Sequence, residues 1–225
     1  MLAVLVNTLA VLLGSTVGLL ARKGIPEKVS GAIMTAISLC TLYAGVSGML
    51  KGENTLVLIV SMVLGTAAGT LLDLDGALAR LGKAIESRSP RTDGKTSVAE
   101  GFVTASLLFC IGAMAIVGSI QDGILGDHAT LFAKAVLDLV IIMVMTASMG
   151  KGCIFSAIPV GILQGSVTLL ARLLQPVFTD AALSNLSLVG SVLVFCVGLN
   201  LVWGKKIRVA NLLPSLLIAV IWAFL

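Results

Sequence analysis

Eight apolar runs of about 20 residues each leave this chain little choice of fold, because that is the length of helix needed to cross a lipid bilayer. The first, Leu2 to Ala21, contains no charged residue. The others occupy 29–50, 54–73, 99–119, 129–149, 152–172, 183–204 and 207–225. Turn and breaker residues stand between several of them, as in Gly24-Ile25-Pro26, Gly52-Glu53-Asn54 and Gln175-Pro176. Composition agrees: 58% of the 225 residues are hydrophobic and 12% are charged, too few polar groups to cover a water-soluble globule. Disorder is excluded for the same reason. The net charge of +4 is scattered, which excludes a nucleic-acid surface. The expected fold is all-α, a polytopic membrane bundle of about eight transmembrane helices in one domain, 1–225, whose first partner is the lipid bilayer. No room is left for a soluble enzyme. The first run lacks a basic segment before it and reads as an uncleaved span.

The distribution of basic residues supports eight crossings. Twelve lie in alternate connections: Arg22, Lys23 and Lys28; Arg80, Lys83, Arg88, Arg91 and Lys95; Lys151; Lys205, Lys206 and Arg208. The opposite side holds Lys51 and Arg172, and Lys134 falls inside a span. The positive-inside rule then places the 74–98 loop in the cytoplasm and both termini outside. Apolar residues at Leu74, Ala77, Leu78, Leu81 and Ile85 have helical spacing, which predicts an interfacial helix over 74–86. Ser87 to Thr96 reads as a flexible linker.

The fourth and seventh spans are alike. Ser106–Gly118, SLLFCIGAMAIVG, and Val192–Gly204, VLVFCVGLNLVWG, share Phe-Cys-x-Gly at the same place. Gly65-Thr66 and Gly165-Ser166 precede them in corresponding spans, and the first and sixth spans both end in Leu-Leu-Ala-Arg. This pattern predicts an inverted-topology repeat, helices 3–5 against helices 6–8, since an odd offset reverses the direction of crossing. Inverted repeats are common in secondary transporters, with the substrate site between the copies near the midplane.

Lys134 and Asp138 are the most informative residues. Four apart, they share one helix face inside the fifth span, where an ionisable group normally faces the bundle interior or a water-filled cavity. They are candidates for binding a solute or ion, or for carrying a proton; a self-neutralising structural pair is the alternative. Asn211, Pro214 and Ser215 occupy the equivalent place in the other copy. A proline within a span frees a backbone carbonyl, so Pro214 marks a helix break with Asn211 and Ser215 beside it. Gln164 and Asn200 are further candidate ligands, with helix packing as the alternative role. Asn7 is read as packing. Glu100, at the start of the fourth span, is a candidate for gating or proton entry. Gly14/Gly18 and Gly65/Gly69 are helix-contact faces. His128 is the only histidine, so no histidine-based metal cluster is expected, and no cofactor motif is present. The four cysteines form no CxxC pair and read as structural thiols.

The segment Glu100–Leu139 (EGFVTASLLFCIGAMAIVGSIQDGILGDHATLFAKAVLDL), with NTLAVLLGSTVGLL near the start, QGSVTLLA in the middle and NLLPSLLIAV at the end, resembles the YqgA/YdfK-type family of bacterial integral membrane proteins, a family of unknown function (DUF554). The resemblance runs the length of the chain. It implies a bacterial inner-membrane protein of transporter type, and it carries over no substrate and no functional residue. The expectation from all of this is a secondary transporter or uniporter of a small solute or ion, not an enzyme. A channel lined by the same polar residues, or a membrane scaffold or sensor subunit, are the alternatives. The glycine faces make a homodimer an expectation as well.

Overall fold

A computed structural model describes residues 1–22, 27–77, 79–80, 84, 98–110, 113–124, 126–174, 179–204 and 206–224. Its main helices are α1 (Leu2–Arg22), α2 (Glu27–Met49), α3 (Thr55–Leu71), α4 (Val98–Cys110), α5 (Ala113–Ile124), α6 (Ala129–Met149), α7 (Ala157–Leu169), α8 (Ala171–Leu174), α9 (Asp180–Trp203) and α10 (Pro214–Ile221). Short 3-10 turns, Lys151–Ser156 and Val209–Leu212, lead into α7 and α10. No strand occurs among the described residues. Residues 74–77, 79, 80 and 84 are helical; the linker 87–96, Gly112 and the Gly24-Ile25-Pro26 and Gln175-Pro176 breakers lie outside the described residues.

The helix ends follow from local chemistry. Asn54 caps α3 by accepting from the Val57 amide at 3.2 Å, and Thr179 caps α9 by accepting from Ala182 at 3.2 Å. Gly150 and Gly204 end α6 and α9 with φ of 89° and 77°, a region closed to most side chains. Pro214 stands at the first position of α10, where its missing N–H costs nothing, so the last apolar run is divided into a 3-10 turn and an α-helix.

Among the described residues, four segments are long and apolar enough to cross a membrane: Leu2–Ala21, Ala129–Met149, Lys151–Leu169 and Asp180–Trp203. Thr55–Leu71, Val98–Cys110 and Val209–Trp222 are apolar but shorter. The molecule's surface suits lipid. Leu20, Leu71, Leu137, Ile162 and Leu217 are all more than half exposed, while Asn7, Lys134, Asp138, Gln164, Asn211 and Ser215 are buried.

Glycines show how the helices meet. Gly14 faces the Leu139 carbonyl and Gly18 the Met143 carbonyl, so α1 runs parallel to α6. Gly101 meets Gly152 and Cys153 while Gly123 meets Thr168 and Ala171, so the α4–α5 segment runs parallel to α7 and its leading turn. Gly45 faces Phe195, Gly48 faces Ser191 and Gly52 faces Leu188, so α2 is antiparallel to α9. Gly65 faces Ser215 and Gly69 faces Asn211, so α3 is antiparallel to the α10 segment. In each pair a methyl group at the glycine would collide with the facing helix, and close backbone approach is how apolar helices gain packing energy in lipid. None of these pairs is consecutive in the chain.

Candidate functional site

Polar residues collect at two depths. The first centre lies in the half of the bundle that holds the start of α1 and of α6. Lys134 donates to the Asp138 carboxylate one helical turn away, and both side chains are buried. The Lys134 ammonium also sits over the Phe109 ring, 5.7 Å from its centre. From α1, Asn7 donates through Nδ2 to Gln164 Oε1 of α7 at 3.0 Å, and its amide also reaches Asp138. Cys110 at the end of α4 lies within electrostatic reach of Lys134 and Asp138. Side chains of α1, α4, α6 and α7 therefore converge here. Asn7 Oδ1 and Gln164 Nε2 are buried with no hydrogen-bond partner, one acceptor and one donor left over. An unpaired buried polar atom costs about 1–3 kcal/mol, so this centre has capacity for a group that both donates and accepts.

The second centre lies at the other end, beside Asp75, Ala79 and the first turn of α4. A cavity of about 450 Å³ is lined by Asp75, Glu100, Thr104, Ser148, Asn200 and Ile207, among others. Its volume is that of a small-molecule site. Glu100 is exposed in the first turn of α4, where the helix dipole favours a carboxylate. Asn200 lines the same cavity but has its hydrogen bonds made. Its Nδ2 donates to the Ile207 carbonyl at 2.7 Å, and its Oδ1 accepts from the Lys206 and Ile207 amides at 3.0 and 2.8 Å. Asn211 Oδ1 accepts from the Asp75 amide at 2.8 Å and ties the stretch that follows α3 to the turn before α10. Ser215 is buried against Gly65 with no partner for its hydroxyl.

The two centres are closed from one another. Ile142, Met145 and Met149 follow Asp138 at successive turns of α6 and pack with Val11, Ala105 and Phe109. Met149 reaches the cavity wall, about 16 Å along the helix from Asp138. The candidates picked from sequence thus divide: Lys134, Asp138 and Gln164 share the first centre, whereas Glu100 and Asn200 share the second. Asn211, Pro214 and Ser215 shape the α3–α10 junction. Sequence reasoning did not place Asn7 beside Asp138, and it did not single out Asp75. A third polar group was also missed: the Asp122 carboxylate, fully buried at the end of α5, pairs with the Met1 amino group and with His128.

Comparison with known proteins gives a family and no activity. The pattern described as a protein of unknown function (DUF554) matches residues 2–224. The chain is 29% identical over 222 residues to "Uncharacterized membrane protein YdfK" of Bacillus subtilis (strain 168), covering 97% of this chain and 93% of that protein. It is 29% identical over 217 residues to "Uncharacterized protein YqgA" of Escherichia coli (strain K12), covering 95% and 92%. No solved structure matches. With the match running from the second residue of the chain to the last but one, the protein belongs to the DUF554 family.

Proposed function

We propose that this protein is a secondary transporter of a small solute or ion in the bacterial inner membrane, crossing it eight times with both termini outside. The observation that carries this reading is the first polar centre: a buried ion pair beside two half-satisfied amides, closed by an apolar layer from a cavity that opens at one end. Ionisable groups in a bilayer core mark pathways more often than scaffolding. A cavity that stops short of the central charges suits a carrier caught open to one side. An open pore has no use for such a layer.

Helix directions support eight crossings. In a strictly alternating chain, spans one and five are parallel, as are four and six, while two and seven, and three and eight, are antiparallel. The glycine contacts have this pattern in all four pairs. The cavity end also carries Arg80, Lys151, Lys206 and Arg208, which makes it the cytoplasmic end by the positive-inside rule. Asp138 and Lys134 supply charge to the path, Gln164 and Asn7 supply hydrogen bonds, and Glu100 stands at the entry.

The test is flux into proteoliposomes containing the purified protein and a trapped pH-sensitive dye. A panel of amino acids, organic acids and alkali cations is added outside under an imposed membrane potential. One class should move protons or charge faster than in empty vesicles, and Asp138→Asn at matched protein should abolish that movement. Equal rates with Asp138→Asn would reduce the ion pair to a structural clip.

A further inference from the structure

The closed end of the bundle has a hidden counterpart to the open one. Val17, Leu19, Leu20, Ala21, Arg22 and Pro26 recur as Val167, Leu169, Leu170, Ala171, Arg172 and Pro176, a constant separation of 150 residues (17 to 167). Gly48 and Gly198 keep the same separation. The packing obeys it too. Gly45 faces Phe195 and Gly65 faces Ser215, each pair 150 apart, so each contact is its own mate. Gly48 meets Ser191, and its mate Gly198 meets Leu42, one residue from the place that exchange requires. Exchanging spans one to three with six to eight, and four with five, turns the α1–α6 pair into the α7–α4 pair. Both are extensive and parallel. The α2–α9 and α3–α10 pairs map onto themselves. This symmetry reverses the direction of crossing, and it joins spans one to three with six to eight; the likeness of the fourth and seventh spans does not follow the packing, since α4 lies along α7 and α9 along α2.

The symmetry is broken in one respect. The α10 segment packs on α9, whereas their mates α3 and α2 make little contact among the described residues. Ile207 lines the cavity, whereas its mate Val57 is fully buried among Leu107, Val189 and Leu193. Two near-equivalent halves in unequal packings are free to exchange them.

We infer that the protein has a second, outward-facing vestibule, lined by Ser47, Asn54 and Val57 from α2 and α3 together with the adjoining ends of α5 and α6, which opens as the cavity around Ile207 closes. It rests on the transporter reading for its purpose and on the packing for its geometry. The occupant is the same solute that enters from the other side.

The test is thiol labelling in right-side-out vesicles, with Cys40, Cys110, Cys153 and Cys196 replaced by alanine. Val57→Cys should react with an impermeant thiol reagent from outside. Thr104→Trp, a wedge in the cytoplasmic cavity, should slow that reaction by about tenfold or more by holding the cavity open. Leu50→Cys, on the outer surface in either state, should label equally with and without the wedge. Ser47→Cys should behave as Val57→Cys does, and it covers the case in which the core cysteine weakens folding. Val57→Cys and Ser47→Cys both unreactive, or both reacting at a rate the wedge leaves unchanged, would overturn the inference. Leu50→Cys reacting only from the cytoplasmic side would overturn the eight-span reading itself. Wedge-sensitive labelling without flux in proteoliposomes would keep the vestibule and sink the transporter.

Discussion

Asn7 and Gln164 on one side, Asn200 and Asn211 on the other, are amides in an apolar chain with opposite fates. Asn200 spends its amide on its own chain, closing the turn after α9 with three hydrogen bonds, and Asn211 accepts from the Asp75 amide. Asn7 and Gln164 meet across two helices and leave a donor and an acceptor unused beside an ion pair. Asn200 and Asn211 put their hydrogen bonds into the fold, while Asn7 and Gln164 keep a buried donor and acceptor free beside charge, which is the basis for assigning them to the proposed path.

The largest effect expected from breaking this contrast is at the ion pair. Lys134→Ala strands the buried Asp138 carboxylate and should cost about 3–5 kcal/mol, with Asp138→Ala added on top recovering part of the loss. Thermal unfolding in detergent reads both; a double variant no better than the single would show that the two residues do not act as a pair. Next comes Asn200→Ala. It removes one acceptor and one donor and leaves backbone groups of the turn unpaired, for a loss of about 2–3 kcal/mol. Flux per folded molecule should stay at the unmodified rate, and a selective loss of flux would move Asn200 from scaffold to path. The smallest effect on stability is expected from Gln164→Met. That change keeps the volume and removes one interhelical hydrogen bond, for about 1 kcal/mol or less. Flux should nonetheless fall by far more than the unfolded fraction explains. A Gln164→Met protein that transports normally would put Gln164 in the same class as Asn200.

The sequence showed some of this and hid the rest for physical reasons. The all-helical, apolar character was legible because hydropathy and length are local, and four of the eight expected runs contain helices long enough to cross a membrane among the described residues. Lys134 and Asp138 were legible because a pair four apart shares a helix face whatever surrounds it. The role of Asn200 was not, because its partners lie across a turn whose backbone closes only around Gly204, at positive φ. Asn7 was read as packing, and it does bond a neighbouring helix; its approach to Asp138 depends on α1 lying along α6, more than a hundred residues downstream. The Phe-Cys-x-Gly likeness relates α4 to α9, whereas the glycine contacts lay α4 along α7 and α9 along α2. Short matches between apolar helices are cheap to form, and the constant spacing of the Leu-Leu-Ala-Arg and proline matches gains weight only beside the glycine contacts.

That pairing of distant spans also shapes how the protein is made. Helices α1, α2 and α3 pack mainly on α6, α9 and α10 and scarcely on one another among the described residues. As the ribosome delivers the chain, α1, α2 and α3 emerge with no mate to fold against. At about 5–20 residues per second, α1 waits roughly 6–25 s for the whole of α6, and α2 waits roughly 8–30 s for the whole of α9. Throughout that interval Asn7 faces lipid or a passing chaperone, and the α1 glycine groove stands open to any neighbouring helix. Maturation of such a protein is an assembly step that follows insertion, and it is set by the last spans to arrive.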